Sequence, residues 1–325
     1  MLLLFGEALG SFLDMSGDSF HHVRDFGFFE LPGGHHVPLP TIPLPDAVAN
    51  SSFVQAVFPN WHEAGCIPIS KFMVLQLLAF AICMFVFRGL AKRIGSGKPA
   101  EGRFWNFWEA IALFVRDEVV RPTIGDDHHD HDHGSDHGHD AHAAVAHGAH
   151  PADQYLPFLW SCFFFILICN LLGAIPFLGS ATASISVTAA LALSAFVATI
   201  VYGFRAMGPA GFFTNMMPDT GVPGAFGKSL TLGIFGIEVF GFFIKHGVLA
   251  VRLFANIMGG HTVLGVILGF IAIGANAGWL WGPITVGSIG MQIFIGCLEL
   301  FVAFLQAYVF TFLATIFIAG AVHEH

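Results

Sequence analysis

Residues 229–323 read SLTLGIFGIEVFGFFIKHGVLAVRLFANIMGGHTVLGVILGFIAIGANAGWLWGPITVGSIGMQIFIGCLELFVAFLQAYVFTFLATIFIAGAVH, and this stretch decides the fold. Its 95 residues carry only four formal charges: Glu238, Lys245, Arg252 and Glu299. A break at residues 275–283, ANAGWLWGP, divides it into apolar arms of about 45 and 40 residues. Either arm as one straight helix would be on the order of 60 Å long, about twice a hydrocarbon core of roughly 30 Å. The arms are expected to form a helical hairpin that tilts steeply, bends or lies partly along the bilayer.

Bulk composition agrees with that solvent. Of 325 residues 55% are hydrophobic and 11% charged, with 37 Phe and a mean hydropathy of +0.72. A soluble domain carries roughly 25% charged residues, so a soluble enzyme is excluded. Lys and Arg number 13 against 22 Asp and Glu, a formal net charge of −9, which offers nothing basic enough to hold nucleic acid. Cys66, Cys83, Cys162, Cys169 and Cys297 are odd in number, lack CxxC spacing and lie in or beside apolar runs, so packing is their expected role. The start, MLLLFGEALG, has no basic n-region and too short an apolar core for a signal peptide, and insertion is expected to rely on internal helices.

Outward from the hairpin, residues 154–204 contain no Asp, Glu, Lys, Arg or His. The stretch 154–205 is too long for one span and suits two membrane helices, broken at Pro176, Gly179 and Ser180. Arg205 follows, then a Gly- and Pro-rich loop from MGPAGFF through GVPGAFGK. Residues 66–91 form the first expected membrane helix, charge-free from Phe72 to Phe87 and extendable back through Ile67. Arg88, Lys92, Arg93, Lys98 and Arg103 come directly after it, which by the positive-inside rule puts them in the cytoplasm and the N-terminus outside. Residues 1–65, mixing Gly, Pro, His and acids, read as an external segment.

Residues 104–120, FWNFWEAIALFVRDEVV, set apolar side chains among polar ones at helical spacing and suit an interfacial amphipathic helix. Residues 125–153 read as a disordered, His- and Asp-rich cytoplasmic loop, with nine of the 18 histidines between 126 and 150. The expected fold class is therefore all-α integral membrane: about five membrane helices plus one interfacial amphipathic helix, the last two membrane helices (229–322) forming the long tilted hairpin. Five crossings put the C-terminus in the cytoplasm.

Intramembrane ionisable groups cost about 2.5 to 3.5 kcal/mol each on insertion scales, so four in one hairpin ask for a function. Glu238, Lys245 and Arg252 recur every seven residues, a drift of only about 20° per step on a helix. Asn256 follows one turn after Arg252 in line with Glu238, so all four share one face. His261 lies about 180° round from Arg252 and roughly 13 Å along. On the second arm Gln292, Glu299 and Gln306 make another heptad stripe. Antiparallel arms turning near Trp279 would bring to one depth residues whose numbers sum to about 558. Arg252 then falls level with Gln306, and His261 within about two residues of Glu299. Histidine titrates near neutrality under the control of a neighbouring carboxylate, so His261 with Glu299 suits a proton relay. Arginine keeps its charge, so Arg252 suits repelling or releasing ions.

The run VRLFANIMGGHTVLG, with ELFVAFLQAYVF downstream and FFFILICNLLGAIP upstream, resembles subunit a of the F-type ATP synthase, across most of residues 67–322. The resemblance implies a membrane stator beside a rotating c-ring, two ion half-channels and no catalysis of its own. It implies that Arg252 faces the c-ring and separates the half-channels. Asn256, His261, Glu299 and Gln306 would line the outer channel, with Glu238 near the cytoplasmic exit. Asn170 matches the family's Asn before a Leu-Leu pair and Lys245 its helix lysine. Protons would enter from outside by Glu299 and His261, neutralise a c-ring carboxylate and leave to the cytoplasm. Implied partners are the c-ring proteolipids, the subunit b peripheral stalk, the F1 sector indirectly and the lipid of a bacterial inner membrane; no cofactor or metal is implied. The His-rich insertion departs from the family.

Plainer readings stand beside these. Arg252 or Lys245 alone could snorkel, His261 alone could be a packed core histidine, and Asn170 could be an interhelical hydrogen bond. Gln292, without a family counterpart, reads as a helix contact. The His and Asp tract raises a metal transporter as the alternative class. A transporter needs ligands at membrane depth in pairs such as HxxxD, however, and the spans offer only His246 and His261, each without such a partner.

Overall fold

The structure, a computed structural model, describes residues 28–31, 35–43, 66–68, 70–94, 102–125, 150–175, 180–217, 225–274 and 278–322. Most of the external segment 1–65 and the His-rich residues 126–149 lie outside them. Among the described residues five helices are long and apolar enough to cross a membrane: Lys71–Arg93, Pro151–Gly173, Ile185–Asn215, Ser229–Ile267 and Trp281–Val322. The membrane-embedded part is all helical, and the chain is a multi-pass integral membrane protein.

Four short strands precede the helices. β1 (Phe28–Leu31) pairs antiparallel with β2 (His35–Pro38), and β3 (Thr41–Pro43) with β4 (Cys66–Pro68). The first membrane helix, α1 (Lys71–Ile94), consequently starts later than residue 66. Ile67 precedes Pro68, whose ring disfavours helical geometry in the residue before it, and Ile67 pairs instead with Ile42. The Ser70 hydroxyl then accepts the Met73 N–H at 3.4 Å, satisfying one of the donors that a helix start leaves open.

The amphipathic segment runs slightly beyond its expected end. It comprises α2 (Arg103–Phe114), a π-helical turn (Val115–Val120) and α3 (Arg121–Ile124). The i to i+5 bonding of a π turn keeps Val115 and Val120 on the same side, and both are fully buried. Its apolar face is fastened to α4 (Leu156–Gly173): the Trp160 indole N–H donates to the Ala112 carbonyl at 3.0 Å, and the Trp108 and Phe164 rings lie 5.7 Å apart.

At the far end of this segment Arg121 grips Asp153 through two hydrogen bonds of 3.0 and 2.9 Å. Asp153 belongs to a 3-10 turn, Pro151–Tyr155, opened by a His150 cap that accepts the Ala152 N–H. The last residues of the stretch read as a disordered loop are thus folded, because Asp153 has a fixed cation to pair with. His150 also packs on Gly125, where an added Cβ would lie 2.5 Å from its Cε1.

α5 (Ile185–Asn215) runs through residues read as a loop. It absorbs them with a kink: Gly208 adopts φ 76°, a conformation that glycine takes without penalty. Pro209 then stands where a first-turn residue needs no N–H. Phe212 of the final turns is buried against Phe204, ring centroids 5.2 Å apart, and over Gly203. α6 (Ala225–Gly274, 50 residues) and α7 (Trp281–Val322, 42 residues) are the long hairpin, parted by the expected break.

The chain divides into two compact units that share the long helices. One takes in the start of α1, residues Phe165–Ala190 and the turn side of the hairpin, Ala250–Gln306. Its core joins Phe72 and Leu75 of α1 to Ala181 and Ala183 and to Ile257 of α6. The other holds Met84–Phe164, Leu191–Leu249 and Ala307–His325. Aromatic pairs bind it, among them Phe87 with Phe164 and Tyr155 with Tyr202.

Candidate ion-channel site

Hairpin register places the candidate residues. Where a Cβ on Gly274 would stand, Cγ2 of Ile284 lies at 3.0 Å, and where one on Gly260 would stand, Oε1 of Glu299 lies at 2.8 Å. These pairs sum to 558 and 559, matching the antiparallel register expected from the sequence. The Glu299 carboxylate therefore sits in a notch made by the missing side chain of Gly260, one residue from His261. His261 itself is a helical residue of α6 at that level. Glu299 is half-buried.

Gln306, two turns beyond Glu299 on α7, is buried at 5% exposure, and its Nε2 has no hydrogen-bond partner among the described residues. Between the two, the Ala303 carbonyl accepts from Asn170 Nδ2 at 3.4 Å. Asn170, 1% exposed, also accepts the Thr182 hydroxyl at 2.9 Å, and Thr182 is 2.7 Å from the Ser180 hydroxyl. Because Thr182 gives its hydrogen to Asn170, Ser180 must donate to Thr182. The chain of donors runs from Ser180 through Thr182 and Asn170 to α7. The sequence reading named Asn170 and missed the two hydroxyls, whose only signal was their place in the turn after a membrane helix.

On α6 the heptad stripe is real and faces outward. Glu238, Lys245 and Arg252 are exposed, and Asn256 is half-buried. Lys245 Nζ lies 3.7 Å from Glu238 Oε1, so the lysine is paired within its own stripe. Arg252 makes no hydrogen bond or ion pair with any described residue, Gln306 included. Its neighbours Val251 and Val248 are 56% and 48% exposed. The guanidinium thus stands on an exposed, largely apolar helix face with no counter-charge among the described residues. Gln292, read as a helix contact, has a buried Nε2 with no partner among the described residues. No group of three His, Cys, Asp or Glu with metal-binding geometry occurs among the described residues.

Comparison with known proteins decides the family. The description "ATP synthase A chain" matches residues 140–319. The chain belongs to the ATP synthase A chain family. It is 37% identical over 310 residues to ATP synthase subunit a of Anaeromyxobacter dehalogenans (strain 2CP-C), covering 94% of this chain and 70% of that protein. It is 31% identical over 313 residues to the subunit a of Chloroherpeton thalassium, covering 94% and 77%. Against that of Myxococcus xanthus the figures are 34% over 266 residues, 80% and 77%. The role that goes with the family is that of membrane stator in the ATP synthase complex, a component that serves ion transport and ATP synthesis without being a catalytic subunit.

Proposed function

We propose that this chain supplies two proton half-channels to and from a c-ring carboxylate and so couples proton flow to rotation. The observation that carries the reading is the Glu299 carboxylate lodged against Gly260, the residue that precedes His261 on α6. Protons pass from outside to Glu299 and His261, with Asn256, Gln306 and the Asn170 chain as polar lining. A carboxylate and an imidazole in sequence exchange protons near neutrality, where neither group alone is matched to both water and a buried acceptor.

Arg252, exposed and without a partner among the described residues, attracts the deprotonated rotor carboxylate and bars direct passage between the half-channels. Its charge persists at every physiological pH, so it gates without itself carrying the proton. Glu238, paired with Lys245, lies on the same face two heptads away, where the released proton leaves to the cytoplasm. Each proton crossing 100 mV releases about 2.3 kcal/mol, and on this reading the subunit directs that work into rotation.

The rotor, the subunit b stalk and an inner membrane with the N-terminus outside complete the assembly. Arg252→Ala in membrane vesicles tests the reading: proton-driven ATP synthesis is expected to be lost while the subunit stays assembled. Intact synthesis in that variant overturns it. A metal transporter instead predicts metal uptake that fails on His261→Ala with ATP synthesis untouched.

A further inference from the structure

His246 is used by none of these steps, yet it is buried at 4% exposure within a long apolar helix. It follows Lys245 directly, about 100° round α6 from the charged stripe. Its Nδ1 lies 2.9 Å from the Phe242 carbonyl, and since a carbonyl only accepts, Nδ1–H is the donor. Its Nε2 lies 3.5 Å from the hydroxyl of Thr199 on α5, a residue with no exposure. Three rings close the slot: Phe196 of α5 at 5.2 Å, Phe242 at 4.8 Å and Phe317 of α7 at 4.8 Å. No carboxylate faces the imidazole among the described residues of these helices, and Lys245 is turned outward to Glu238.

The slot discriminates among neighbouring residues of α6. Turning the helix one way would carry Lys245 into the aromatic pocket, burying a cation without a counter-ion. Turning it the other way would bring in Gly247, which fills nothing and leaves a cavity. Only the imidazole both fills the space and meets two polar groups, one on its own helix and one on α5. We propose that His246 is a positioning residue that fixes the rotation of α6 about its axis, and with it the direction in which Glu238, Lys245 and, one heptad on, Arg252 project. The functional part of this inference rests on the rotor reading above.

The test uses the whole complex in membrane vesicles, in a background whose five native cysteines are replaced by Ala. A single cysteine is placed at Val248, which is exposed, or at Leu249, which is not, and the ratio of labelling by a lipid-soluble thiol reagent reports helix rotation. His246→Leu, which keeps volume, is expected to cut proton-driven ATP synthesis about five-fold and to admit label at position 249; His246→Gln, which keeps a polar group toward Thr199, is expected to hold both within about two-fold. Equal synthesis and equal labelling in the Leu and Gln variants overturn the proposal. Should the Leu variant fail to accumulate, Thr199→Val retains the ring and removes its partner, and an unchanged labelling ratio there overturns it. Arg252→Ala with intact synthesis would sink the rotor reading alone, leaving the labelling ratio to decide on His246.

Discussion

Gly260 matters for what it lacks. A methyl group there would stand 2.8 Å from the Glu299 carboxylate, too close to keep, yet the obstructing atom is the end of a flexible side chain. Gly260→Ala is therefore expected to assemble normally, with alanine favouring the helix by about 1 kcal/mol, while proton-driven ATP synthesis falls because the carboxylate is pushed out of its notch in α6. Membrane abundance and synthesis measured together in vesicles check the split. Gln306 gives the converse case. Its buried Nε2, without a partner among the described residues, costs about 1–3 kcal/mol, so Gln306→Leu is expected to leave thermal stability unchanged or raised, read by scanning the complex in detergent, and to lower proton flux. The two heptad stripes and their register could be read from the sequence because helix geometry is arithmetic. The pairing of Asn170 with Thr182 and Ala303 could not, since it depends on how the turn at residues 180–184 folds back, and no period in the sequence encodes that.

At the scale of elements, apolar length settled where the five membrane helices lie, and local chemistry settled their ends. Pro68 holds β4 extended and delays α1 to Lys71, whereas Gly208 and Pro209, read as loop-makers, bend α5 without ending it. Both are proline effects, and they differ in sign because Pro68 lies before a helix and Pro209 restarts one. The segment from Arg103 to Ile124 ends in a polar knot. Asp117 takes two hydrogen bonds from Arg116, at 2.8 and 3.0 Å, and Arg121 approaches it at 3.4 Å. The Arg116 hydrogen bonds hold the Asp117 carboxyl below its usual range. Its contribution is thus present above the ordinary carboxylate pKa and is lost as pH falls through the lowered value, a small effect for so exposed a pair. Because Arg121 and Asp153, and Gly125 and His150, bring the ends of the inserted tract together, replacing residues 126–149 with a short Gly-Ser linker is expected to preserve assembly and ATP synthesis. Vesicle assays on the shortened subunit check this, and loss of the membrane-inserted protein would show that the stem does not stand alone.

For the whole molecule, scarcity of charge was the most legible property. With 11% charged residues, the placing of each basic one is informative: Arg88, Lys92 and Arg93 close the first span and Arg103 follows it, Arg205 lies in the last part of the third, and Lys245 and Arg252 stand within the fourth. A membrane-impermeant thiol reagent applied to intact cells is expected to label a cysteine introduced near residue 40 and to leave one near residue 98 or at the C-terminus unlabelled; the reverse pattern would invert the assigned topology. What composition could not supply was the contrast within a single helix, where Lys245 and His246 stand side by side, one facing outward and the other enclosed by three rings.

The stem at Arg121 and Asp153 has one consequence for the tract it closes. A connection that leaves and returns at one clamped point closes at an entropic cost rising only as the logarithm of its length, about 0.6 kcal/mol per doubling. Insertion and deletion in this tract are then expected to cost little, so its length can change by many residues without straining the stem that closes it.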